Sequence, residues 1–176
     1  MEIRYFVAKV KSKLFSSHSP MINYYRSKGI TIGENCLICS NIVTSESFLI
    51  SIGDNTTIST NVSLITHDYS AHILIEGKSD LYGRIIIGSN CFVGANSTIL
   101  YGVTLGNNIV VAAGSVVTKS FNEEGIIIAG NPARIIGNWD DYKKKYAKKA
   151  TPTGEQIAFA DLCKELASSD KYLVER

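Results

Sequence analysis

Thr66-His67-Asp68 is the grouping in this 176-residue chain best suited to moving a proton. A free imidazole titrates near pH ~6.5, so at neutrality it can take a proton from a hydroxyl and return it to a leaving group. Such a ring must be held in one tautomer. Asp68 is adjacent, and a backbone carbonyl would serve equally well. Taken alone, a histidine at the mouth of a loop is more often structural than catalytic, so the assignment needs support from elsewhere in the chain. A metal centre is the rival chemistry, and none is expected. Cys36-Leu37-Ile38-Cys39 is a single CxxC with no second pair, which is poor material for structural zinc.

The elements that must position His67 follow an unusual beat. Ile87, Val93, Ile99, Leu105, Val111 and Val117 place an aliphatic at every sixth position. Ile, Val and Leu fill 45 of 176 positions, so a preset register would give this run by chance about 3 times in 10,000. Ile32 and Ile38, then Ile52, Ile58 and Leu64, carry the same beat earlier. A period of six suits neither a helix nor a half-buried strand. It suits a coil with three flat sides, in which each short strand points one aliphatic inward and a small residue turns the corner. Eighteen residues then return the chain to its start, one strand spacing (~4.8 Å) higher. Asn and Asp at Glu34-Asn35, Asp54-Asn55, Ser89-Asn90 and Asn107-Asn108 tolerate the positive φ of such corners. The beat breaks after Leu64 and resumes at Ile87, so residues 68–84 read as an excursion loop with His67 at its base.

The pattern [Ile/Val/Leu]-Gly-x-x-small-x, followed by Ala129-Gly130-Asn131-Pro132-Ala133-Arg134-Ile135-Ile136-Gly137, resembles the hexapeptide-repeat acyltransferases over about residues 30–140. Within that family the chain is similar to the short O-acetyltransferases of sugars and polysaccharides. The resemblance implies an all-β repeat: a left-handed parallel β-helix of about four coils, against the usual crossover hand, with short N- and C-terminal helices. It also implies an acetyl-CoA-dependent O-acetyltransferase in which His67 is the general base for direct transfer. A backbone N–H would stabilise the oxyanion. The cofactor-binding segment would be Ala112–Lys119, with Ala95, Ala113 and Gly114 letting the pantetheine arm approach the backbone. Thr118 and Lys119 would lie near the nucleotide end, and Lys119 and Arg134 would pair with phosphates. Asn41, Glu46, Tyr69 and Tyr82 are the acceptor-binding candidates, facing a small-molecule or glycan acceptor. The family arrangement further implies a homotrimer with each site between two subunits.

Other readings stay open. The acceptor is an amino sugar (N-acetylation) or an antibiotic in two alternatives. A γ-class carbonic anhydrase-like protein shares the prism, and His67 and His72 have the spacing of two of its ligands. A third histidine is missing from residues 30–40, and His18 precedes the repeats. A catalytically inactive scaffold is the remaining reading.

Net charge is +2, which gives no reason to expect nucleic acid. No apolar run reaches eighteen residues and no signal peptide is read, so a single cytoplasmic domain with reduced cysteines is expected. Cys36 and Cys91 sit where a corner wants a small residue. Residues 1–29 read as a helical segment, 30–137 as the β-helix and 138–176 as C-terminal helices. Ile3, Phe6, Val7, Val10 and Leu14 form an apolar stripe, expected to pack on the first coil and cover its open edge rather than to touch a membrane. Asn138 is expected to cap a helix, and Thr153 with Gln156 resembles a capping box for a last helix through Ala158, Leu162 and Leu166.

Overall fold

Short strands of two or three residues alternate with tight corners from Thr31 to Val117. The computed structural model describes residues 3–14, 18–152 and 159–174. Residues Met1–Ile136 form one compact unit and Gly137–Arg176 another.

Three parallel sheets make the faces of a prism. One runs through Thr31–Ile32, Ile50–Ile52, Ile85–Ile87 and Thr104–Leu105. A second runs through Leu37–Ile38, Thr57–Ile58, Phe92–Val93, Val110–Val111, Ile126–Gly130 and Ala133–Asn138. The third holds Ser63–Leu64, Thr98–Ile99 and Val116–Val117. The expected eighteen-residue coil is present in the register: Phe92 pairs with Val110 and Thr98 with Val116. The first coil is two residues longer, since Thr31 pairs with Ser51 and Leu37 with Thr57. Ile50 pairs with Ile85, and the excess residues form the excursion loop.

The repeating aliphatics fill the axis. Ile58, Val93, Ile99, Val111 and Val117 have no measurable exposure. At roughly 1.5–3 kcal/mol per buried side chain, this stack is the main stabilising term of the coils. Asn35, Asn55, Asn90 and Asn108 take the corners with φ between 53° and 59°. Their side chains link successive coils, with Asn35 Nδ2 donating to Asn55 Oδ1 at 3.3 Å and Asn90 Nδ2 to Asn108 Oδ1 at 3.2 Å. Inside the corners, Thr56 Oγ1 donates to Gly88 O at 2.8 Å and accepts from Cys91 N at 3.1 Å. Small residues are required where coils touch: a Cβ on Gly94 would lie 2.5 Å from Ala113 N. Cys36 and Cys91 are buried corner residues with free thiols, and burial pushes both thiols up.

Two helices precede the coils, α1 (Ile3–Leu14) and α2 (Ser19–Ser27). The open edge of the first coil is covered by α2, not by the stripe of α1. Arg26 of α2 donates to Ile32 O at 2.8 Å and Gly33 O at 2.8 Å, satisfying carbonyls that no strand reaches. Tyr25 is buried, its hydroxyl donating to Ser40 O at 2.8 Å and accepting from Ile42 N at 3.2 Å. The expectation for Ile3, Phe6, Val7, Val10 and Leu14 is overturned, because all five are exposed. α1 turns Tyr5 and Ala8 inward instead. The small Ala8 allows close approach, and the Tyr5 ring meets Tyr24 edge-on with centroids 5.6 Å apart.

A short helix, α3 (Ala71–Leu74), lies within the excursion loop. In the second unit, α4 (Trp139–Tyr146) is capped as expected: Asn138 Oδ1 accepts from Asp141 N at 2.9 Å. α5 spans Phe159–Ser168. Thr153, Gln156 and Ala158 lie outside the described residues. No helix among the described residues is long and apolar enough to cross a membrane.

Candidate active site

The excursion loop is pinched shut at its neck. His67 and Asp68 pair antiparallel with Tyr82 and Leu81, and Gly83 N donates to Thr66 O at 3.0 Å. The pinch fixes the backbone of His67 while its side chain stays open to solvent, as a group that meets a substrate must be.

Glu46 sits one coil beneath it. Its Oε2 is 3.0 Å from His67 Nδ1 and also accepts from Thr66 Oγ1 at 2.8 Å and Thr44 Oγ1 at 3.0 Å. The Thr66 hydroxyl above all, then the His67 and Thr44 contacts, hold the Glu46 carboxyl below the ordinary glutamate range. An ionised carboxylate only accepts, so Nδ1 carries the ring proton and Nε2 presents a lone pair. Glu46 is largely covered whereas His67 is not, so the pair has a partly buried anchor and an accessible working end.

Asp68 is engaged elsewhere. Its Oδ1 accepts from Ser70 N at 2.8 Å and its Oδ2 from Tyr101 OH at 3.0 Å. The Ser70 backbone bond is the main cause of its lowered pKa, and Asp68 in turn raises that of Tyr101. Asp68 therefore ties the start of the loop to the next coil, and Glu46, not Asp68, holds the imidazole. Of the other acceptor candidates, Tyr82 stands beside His67 with ring centroids 5.9 Å apart. Tyr69 stacks on His72 at 4.8 Å instead. Asn41 lines a separate cavity of about 290 Å³ with Tyr24, Tyr25 and Thr44.

The cofactor candidates divide between two edges of the prism. The edge that carries His67 continues upward through Tyr101 and Gly102 to Thr118 and Lys119, since Gly83 abuts Gly102 and Leu100 N donates to Val117 O at 3.0 Å. Lys119 is thus two coils from His67, about 10 Å along the axis. Lys119, Arg134 and the acid Glu123 line one cavity of about 570 Å³, with the Phe121 ring 5.3 Å from the lysine Nζ. Two cations over an open cavity suit a phosphate-bearing ligand. Ala95, Ala113 and Gly114 occupy a different edge, where Gly114 N donates to Ala95 O at 2.8 Å. A single chain does not bring them to His67. No metal-binding cluster of His, Cys, Asp or Glu occurs among the described residues.

The sequence reading gives no role to Thr44 or Tyr101 and none to the Thr66 hydroxyl, and it places Glu46 with the acceptor. The signal for Glu46 lies in the first coil. Glu46 and Thr66 are twenty positions apart, the length of that coil, and their side chains are hydrogen-bonded at 2.8 Å.

Comparison with known proteins bears on the family and the fold. The family model described as "Hexapeptide repeat of succinyl-transferase" matches residues 29–65 and 84–119, leaving out the loop. The chain is 33% identical to galactoside O-acetyltransferase of Escherichia coli (strain K12) over 128 residues, 72% of this chain and 63% of that protein. It is 42% identical to Protein CapG of Staphylococcus aureus over 133 residues, 73% of this chain and 77% of CapG. A hexapeptide-repeat acetyltransferase of Vibrio cholerae O1 biovar eltor, solved with acetyl coenzyme A, superposes with a TM-score of 0.56 at 29% identity. The match covers 64% of this chain and 61% of that one. The prism is therefore a left-handed parallel β-helix.

Proposed function

The chain belongs to the hexapeptide-repeat acyltransferase family, and on that premise we propose that it transfers acetyl from acetyl-CoA to a hydroxyl of a sugar or polysaccharide precursor. The observation that carries the proposal is the 3.0 Å contact between His67 Nδ1 and Glu46 Oε2. It orients an exposed imidazole with Nε2 free to act as general base.

His67 Nε2 takes the acceptor hydroxyl proton as that oxygen attacks the carbonyl carbon of the acetyl thioester. The imidazolium formed is stabilised by the Glu46 carboxylate directly behind it. When the carbon–sulfur bond breaks, His67 returns the proton to the departing thiolate, so the histidine ends neutral and no acyl-enzyme forms. Tyr82, beside the imidazole, offers an aromatic face and a hydroxyl to a sugar. Lys119 and Arg134 hold the phosphates of the nucleotide end.

A cyclic homotrimer completes the site. The edge with Ala95, Ala113 and Gly114 in one subunit then faces the His67 edge of another, which joins the two halves that a single chain keeps apart. The four free thiols fit a reducing, cytoplasmic compartment. The test is an acceptor screen of sugars and oligosaccharides with acetyl-CoA, following thiol release. His67→Ala is the control. A sugar-dependent, His67-dependent release is expected, and an amine-only preference would replace O-acetylation by N-acetylation.

A further inference from the structure

The outward face of α1 is the feature that the acetyltransferase reading leaves unused. Residues Ile3–Leu14 contain Arg4, Lys9, Lys11 and Lys13 and no acid. At 100° per residue, Tyr5, Ala8 and Ser12 share the side turned to the protein, which agrees with the burial of Tyr5 and Ala8 and the half-burial of Ser12. Ile3, Phe6, Val7, Val10 and Leu14 fall on the opposite side in a sector about 100° wide. They are between 43% and 82% exposed. Lys11 and Arg4 border that sector on one flank, and Lys13 and Lys9 on the other.

We propose that this face of α1 docks the protein onto a lipid bilayer that carries anionic headgroups. The arrangement is reversed from a helix that serves the core: the larger apolar stripe points away from the protein, while a tyrosine and an alanine suffice to fix the helix to α2. Five apolar side chains over three turns can enter the acyl boundary of a bilayer with the helix lying flat. Lysine and arginine stems then reach sideways and set their charges at the level of the phosphates. Charge decides the occupant. A second copy of the same face would bring four cations against four, which is repulsive once they are desolvated. An anionic surface pairs with all four.

The test uses the full chain and sedimentation with vesicles of phosphatidylcholine alone or with about one third phosphatidylglycerol. Binding to the anionic vesicles is expected, with affinity at least about tenfold lower for phosphatidylcholine alone and at 0.5 M salt, from the worth of interfacial lysines and their screening. Phe6→Ser with Val10→Ser removes apolar contact, and Lys9→Glu with Lys13→Glu removes charge. Each pair should weaken vesicle binding about tenfold or more. Their melting temperature and light-scattering mass should match wild type, because none of the four residues is buried. Failure of wild type to sediment with anionic vesicles overturns the proposal, as does undiminished binding by either pair. A lower assembly mass in the Phe6/Val10 variant also overturns it, since the face would then be a contact between copies.

Discussion

Glu46 Oε2 lies 3.0 Å from Nδ1 of His67 although the two residues are 21 positions apart. Glu46 belongs to the preceding, twenty-residue coil, and its contact with Nδ1 leaves the Nε2 edge of the ring open. Thr44 and Thr66 hold the same oxygen, which fixes the carboxylate before any ligand binds.

His67→Ala should reduce kcat by roughly 10² to 10⁴, with folding and acetyl-CoA affinity little changed, because the imidazole acts mainly in the transition state. Steady-state kinetics and calorimetric titration with CoA would measure both. Retention of more than about a tenth of wild-type turnover would exclude His67 as the base.

Glu46→Gln keeps a hydrogen-bond acceptor for Nδ1 but loses the charge behind the imidazolium, so kcat should fall by roughly 10- to 100-fold with KM for acetyl-CoA unchanged. A stability readout separates this from a packing defect. The Glu46 carboxyl is depressed in the folded state, chiefly by the Thr66 hydroxyl. Its contribution is therefore present above the ordinary glutamate value of about 4.3 and is lost as pH falls through the folded value. The Tm gap between wild type and Glu46→Gln should narrow on acidification below that point. A constant gap would show that the carboxylate charge contributes nothing.

Assembly is checked by light scattering. Three chains of 19.2 kDa give about 58 kDa. A monomer at micromolar concentration would leave Ala95, Ala113 and Gly114 stranded from His67 and would refute the shared site.

Replacing residues 69–81 with a short turn should damage acceptor use far more than CoA binding, since the loop projects from the stacked coils beside His67. Equal losses in acceptor kinetics and in CoA titration would mean that the loop builds the cofactor site.

Tyr25 supports the first coil from α2. Burial pushes its phenol up to about 12, so its stabilising contribution is complete below the ordinary tyrosine value of about 10 and is lost as pH rises through the folded value. Tyr25→Phe strands Ser40 O and Ile42 N and should cost about 1–3 kcal/mol near neutrality. Alkaline melts should show wild type converging on the variant between about pH 10 and 12. Parallel curves would rule out titration of Tyr25.

The prism was legible in the sequence because its rule is local and repeated: one aliphatic per six residues inward, one small or positive-φ residue per corner. Ile87 through Val117, Asn90, Asn108 and the two corner cysteines all obey it, and so does the loop position, where the beat fails. The hand of the coil is a global property, and the resemblance to a family supplied it, not the spacing. Partnerships across coils were not legible. Asp68 is the neighbour of His67 in sequence, but adjacent residues in a strand point to opposite sides, and Glu46, 21 positions earlier, makes the contact with Nδ1 instead. The stripe on α1 shows the same limit. Periodicity identified the apolar face from residue types alone, whereas its direction depended on Tyr24 of α2 meeting the Tyr5 ring and on the burial of Ala8. Local repetition determined the elements, and only packing between distant segments decided which sides of them meet.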